Sequence, residues 1–113
     1  MRQLIISLFI ITLACAKVNS QDSTLAQKLA QHIALKMKDT LELSPTQQDQ
    51  LYWINMNLHE SKLQVRENYT DSDSLRVRIQ LVENTRDSLY LGVLNEEKYL
   101  LYRQKKQQLI SSN

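Results

Sequence analysis

Leu43-Ser44-Pro45-Thr46-Gln47 is the stretch whose reading decides the fold. The Ser44 hydroxyl oxygen can accept from the free backbone N–H of Gln47, Pro45 fits the first helical position where no N–H is needed, and Gln47 can reach back to the Ser44 N–H. That is a capping box, so a helix begins there. A weaker echo, Leu94-Asn95-Glu96-Glu97-Lys98, stands near the C-terminus. Asn95 is a good N-cap, and Glu96 and Glu97 meet the positive end of a helix dipole. Lys98 cannot close the box, because an ammonium only donates.

Outward from these two starts the chain reads as helix throughout. One Pro and one Gly, with abundant Leu, Gln, Lys and Glu, argue against hairpins and for long helices joined by short polar turns. The first helix is expected from about Ser23 to Leu41, with Leu25, Leu29, Ile33 and Met37 on one face and Gln27, Lys28, Gln31 and Lys38 opposite. The second runs from Ser44 to about Asn68, with one stripe of Leu51, Ile54, Leu58 and Val65 and another of Tyr52, Met56 and Leu63. Thr70-Asp71-Ser72-Asp73 supplies turn and cap residues before a third helix that presents Leu75, Ile79, Val82 and Leu89, with Val77 and Leu81 on its other side. The pattern breaks near Gly92, and Asn95 opens a last helix bearing Tyr99, Leu100, Tyr102, Leu109 and Ile110. The expected fold is all-α: four helices of unequal length forming a thin, elongated hairpin or cradle.

Residues 1–20 read as an export signal. Arg2 precedes an apolar run from Leu4 to Leu13, too short to span a bilayer, and the small residues Ala14 and Ala16 follow. Cleavage is expected after Ala16 or after Ser20. Thr12-Leu13-Ala14-Cys15 is also a loose lipobox, and its alternative outcome is lipidation of Cys15 with a short tether to a membrane leaflet. The helical domain is then residues 21–113.

Composition narrows the functions. Cys15 is the only cysteine, so the mature domain has no disulfide, thiol nucleophile or thiolate ligand. Losing Arg2 and Lys17 from fourteen basic residues leaves as many as the twelve acidic ones, so the mature chain is neutral. Nucleic acid is not an expected partner, because the only basic cluster, Arg103, Lys105 and Lys106, suits a solvated face beside a helix C-terminus. No enzyme activity or cofactor is expected: no phosphate-cradling glycine loop is present, no strand-turn-helix exposes a nucleophile, and His32 and His59 lack metal-ligand spacing. The apolar positions exceed what a thin monomeric bundle can cover, which calls for dimerisation or an exposed binding surface.

The paired leucine-led helix starts, the helical pattern and the export signal together resemble the LTxxQ motifs of the Spy/CpxP family of small bacterial periplasmic proteins. Leu43, Ser44, Pro45 and Gln47 carry the first motif, and Leu94 and Asn95 carry the second. Ser44 and Asn95 stand where the family usually has threonine, and Lys98 where it has glutamine. The resemblance implies a dimeric cradle that holds unfolded or partly folded envelope proteins without ATP during envelope stress. Its alternatives are a CpxP-like adaptor docking on a membrane sensor and a metal-responsive sensor drawing on His32, His59, Glu60, Met37 and Met56.

A holder of many clients needs adaptable apolar groups and nearby charge, without a deep pocket of one shape. Met37, Tyr52, Trp53, Met56, Leu58 and Leu63 are the apolar candidates, and Arg66, Arg76, Arg78 and Arg86 the charged ones. Each has a plain alternative: core for a leucine or methionine at helical spacing, a solvated face for an arginine. Trp53 neighbours both stripes, as contact-surface tryptophans often do.

Overall fold

The computed structural model describes residues 20–111, with side chains from residue 24. Residues 1–19, which hold most of the expected export signal, the Ala16 cleavage position and Cys15, lie outside the described residues. Among the described residues four helices follow in order: α1 (Ser20–Leu41), α2 (Pro45–Asn68), α3 (Ser72–Leu91) and α4 (Glu96–Ile110). Successive helices α1, α2 and α3 pack side by side through short turns, and α4 folds back against α1 and, more lightly, α3. The molecule measures 44 × 40 × 25 Å. A helix with its side chains is about 10–12 Å across, so the thin dimension holds two helix layers.

Both helix starts form as the residues dictate. Ser44 Oγ accepts from the Gln47 N–H at 3.1 Å, and Gln47 Oε1 accepts from the Ser44 N–H at 3.0 Å. Asn95 Oδ1 accepts from the Lys98 N–H at 2.8 Å. The side chains three residues into these helices then cross over. Gln47 Nε2 donates to the Val93 carbonyl in the turn before α4, and Lys98 Nζ donates to the Leu41 and Glu42 carbonyls that end α1. Lys98 therefore places a cation on the negative end of α1, which compensates for the box it cannot close. Leu43 and Leu94, one before each cap, both enter the core, so the two starts are clasped face to face.

The core is concentrated at this clasped end. Met37 and Leu41 from α1, Leu51 from α2, Tyr90 from α3, and Tyr102 and Leu109 from α4 are buried together, with Tyr90 and Tyr102 edge to face at 5.0 Å between ring centres. Fully burying each such side chain contributes about 1.5–3 kcal/mol before the entropy of ordering it is subtracted.

The expected face of α1 is corrected by one step. Ile33 and Met37 are buried as expected, but Leu25 is 70% exposed and Leu29 is also exposed. The contact face runs through Ala26, Ala30 and Ala34. These small side chains bring the backbones of α1 and α2 close, so that Asn55 Nδ2 on α2 donates to the Ala30 carbonyl at 3.2 Å. A leucine stripe would hold the helices apart. In α3 the buried residues are Arg86 and Tyr90, while Leu89, expected inside, is exposed; in α4 Leu100 is likewise outside.

Glu42, just past the end of α1, is the one residue with positive φ among the described residues, at 56°. The Leu43 N–H closes the turn on the Lys38 carbonyl at 3.0 Å, a Schellman closure whose left-handed position favours glycine. Glu42→Gly is expected to raise stability by about 1 kcal/mol, read as a higher urea midpoint with unchanged slope. Gly92 differs: its φ of −71° is right-handed, and the end of α3 is turned by Gly92 and Val93 N–H bonds to Leu89 and Tyr90 carbonyls.

Candidate functional site

Asn55 stands at a core position of α2, one turn from Leu51 and three residues before Leu58, and a buried amide requires partners. α3 supplies them. Asn55 Oδ1 accepts from Arg86 Nη1 at 3.1 Å and from the Tyr90 hydroxyl, and Arg86 Nη1 also donates to the Tyr90 oxygen at 2.8 Å. The rest of the guanidinium forks onto Glu83, which also accepts from Lys62 Nζ on α2 at 2.6 Å. This group ties α1, α2 and α3 together, and no buried side-chain polar atom among the described residues lacks a partner. A second group ties α3 to α4: Asp87 accepts from the Tyr102 hydroxyl at 2.8 Å and pairs with Lys106 at 2.9 Å and Arg103 at 3.5 Å.

These contacts set the ionisation. Burial works to raise the carboxyl of Glu83, but hydrogen bonds and charge from Arg86 and Lys62 outweigh it and hold Glu83 below its usual range. Asp87 is likewise opposed by burial yet held low by Lys106, Tyr102 and Arg103. Burial pushes the Tyr102 and Tyr90 hydroxyls up, and for Tyr102 the Asp87 carboxylate adds to it. The two carboxylates are depressed in the folded chain, so their stabilisation is present above the unfolded carboxyl pKa of about 4 and is lost as pH falls through the folded values. The tyrosines are raised, so their share is present below the unfolded value of about 10 and declines as pH rises beyond it. A plot of urea midpoint against pH should therefore be flat between about pH 5 and pH 10 and fall on both sides. Tyr102→Phe should make the alkaline fall shallower; an unchanged alkaline limb would show that this hydroxyl does not govern it.

Beyond the polar groups the packing thins. From His59 to Thr85, which covers the outer half of α2, the turn and the outer half of α3, no residue is buried. Leu63, Val65, Tyr69, Leu75, Ile79 and Val82 are all half-buried, and Val77 and Leu81 are exposed. The hairpin is nonetheless well formed: Asp71 caps α3 by accepting from the Ser74 N–H at 2.9 Å, and the Arg78 guanidinium lies over the Tyr69 ring at 4.9 Å.

The ten candidate binding residues divide accordingly. Leu63, Arg66, Arg76 and Arg78 come together on this outer hairpin, the three arginines exposed. Trp53 is 57% exposed with Tyr52 edge-on at 4.9 Å, and Met56 is half-buried; all three belong to the inner half of α2. Met37, Leu58 and Arg86 are corrected. Met37 has no exposed surface and Leu58 nearly none, because both lie where helices meet, and Arg86 is 7% exposed and engaged with Glu83, Asn55 and Tyr90. None of the three lies on the exposed surface of the molecule. Asn55, Glu83, Asp87 and Tyr90 were not singled out from the sequence; an amide inside the Leu51–Leu58 stripe was the one available signal.

No set of three His, Cys, Asp or Glu side chains that could hold a metal occurs among the described residues, where His32 is exposed and His59 half-buried. No described helix is long and apolar enough to cross a membrane. Comparison of the chain with protein-family models, curated proteins and solved structures returns no match.

Proposed function

We propose that this protein is an exported, ATP-independent holder of unfolded or partly folded chains, of the Spy/CpxP kind, acting in the cell envelope. The observation behind the reading is the unburied stretch from His59 to Thr85: a two-helix surface with half-buried Leu63, Val65, Leu75, Ile79 and Val82, beside exposed Arg66, Arg76 and Arg78. Apolar side chains that are only half covered, without a deep cleft, suit clients of many shapes, and the arginines supply longer-range attraction. Arg66 has no ion-pair partner among the described residues, and the Arg76–Asp73 pair at 3.4 Å is so exposed that water screens it. Both guanidinium groups are therefore available to a client. A second copy covering part of this surface would give the dimeric cradle that the resemblance implies.

A second reading, an adaptor docked on one envelope sensor, is favoured by the Trp53–Tyr52 pair, since an exposed tryptophan backed by a tyrosine is the kind of anchor a single specific interface uses. One experiment separates the two. Purified protein, with its mass in solution determined in the same buffer, is added without ATP to a chemically unfolded client on dilution. A holder suppresses aggregation at near-stoichiometric ratios; a well-folded helical protein that leaves aggregation unchanged returns the weight to the adaptor.

A further inference from the structure

A recess of about 90 Å³ lies among α1, α2 and α3, beside the buried polar group. Its walls differ in character. Ala26, Leu29 and Ile33 of α1 make an apolar side, while Asn55 and Lys62 of α2 and Arg86 of α3 bring polar and cationic groups to the other. Two cations here share one carboxylate, Glu83, so a positive charge is left over.

The hydrogen-bond inventory points the same way. An ammonium has three N–H donors, and Lys62 Nζ uses one, on Glu83. A guanidinium has five, of which Arg86 uses four: Nε and one Nη2 hydrogen on Glu83, and both Nη1 hydrogens on Asn55 and Tyr90. Unused donors therefore remain on both cations, and no acidic side chain lines the recess. Leu29 stays 41% exposed at its edge and offers apolar surface there.

We propose that this recess binds a short aliphatic carboxylate. The carboxylate accepts from Lys62 and from the free Arg86 N–H, cancelling the leftover charge. Its carbon chain lies on Leu29 and Ile33. Charge-assisted hydrogen bonds are stronger where water is thin, and Arg86 is almost wholly desolvated. The volume falls well short of the roughly 300–1,000 Å³ of sites for drug-sized molecules, which restricts the ligand to a few carbon atoms. This binding goes beyond the holding activity and does not depend on it.

The test is an NMR titration of the full protein with sodium acetate, sodium butyrate and n-butylammonium chloride at matched ionic strength and fixed pH, followed at His59, which lines the recess, and at Leu29. Butyrate should shift both saturably and bind roughly tenfold more tightly than acetate, since two added methylenes are buried. Butylammonium should leave them unmoved. Lys62→Met keeps the aliphatic stem and leaves Glu83 paired with Arg86, so the helical circular dichroism should persist while butyrate binds roughly tenfold more weakly. Leu29→Gln, at an exposed position, should erase the advantage of butyrate over acetate. Absence of a saturable butyrate shift, equal binding of butylammonium, or a folded Lys62→Met with undiminished affinity would each overturn the proposal.

Discussion

Replacing Arg86 with methionine is expected to cost about 3–5 kcal/mol of folding stability, because breaking a buried pair leaves the partner charge and polar groups uncompensated. Glu83 would keep only Lys62, and Asn55 and Tyr90 would each lose a donor at the point where α1, α2 and α3 meet. Natural domains are stable by only about 5–15 kcal/mol, so a loss of this size removes a large share of the total and should lower the urea midpoint by more than about 1 M. Lysine should not rescue it, since a point charge cannot fork onto Glu83 while also reaching Asn55 and Tyr90. Arg76→Gln is the matched control. Its ion pair with Asp73 is exposed, and the change should stay within about 0.5 kcal/mol. An Arg86→Met protein as stable as the parent would mean that the buried group does not hold the three helices together, and would reopen Arg86 as a surface residue.

The second large effect separates two leucines that the helical pattern treats alike. Leu58→Gln removes a core side chain and inserts an amide with no ready partner, and is expected to destabilise by about 3–5 kcal/mol, visible as lost helicity. Leu63→Gln changes a half-buried residue of the outer hairpin, where water can still solvate the amide. It should cost about 1 kcal/mol or less and leave the circular dichroism intact. If the outer hairpin holds clients, Leu63→Gln also weakens suppression of client aggregation, more so when combined with Val77→Gln, an exposed change on the facing helix. A folded double variant that suppresses aggregation as well as the parent would remove the outer hairpin from the binding surface. Loss of helicity in Leu63→Gln would make that residue core after all.

Both experiments turn on a distinction that helical spacing does not make. The stripe Leu51, Leu58 and Val65 repeats every seven residues, yet the first two are buried and the third only half so. Periodicity reports which residues share a side of a helix. It carries no information about how far along that helix a neighbour extends. The core ends near Leu58 on α2 and resumes at Arg86 on α3 because α4 folds back over the clasped end of the molecule alone.

The sequence by itself determined the helices and their starts. Local chemistry is sufficient there: a hydroxyl, a proline and an amide within four residues make the α2 cap, Asn95 makes the α4 cap, and one Pro and one Gly leave little else for the chain to form. Only the tertiary structure decided which apolar residues became core, that Ala26, Ala30 and Ala34 rather than Leu25 and Leu29 form the α1 contact, and that Arg86 is a buried strut while Arg76 lies exposed in a surface ion pair. It also turned Gln47 and Lys98 from capping residues into a cross-clasp between two distant turns. The physical reason is range: capping and helix propensity act within about one turn, whereas burial and charge pairing depend on groups from other helices that no spacing along one helix specifies.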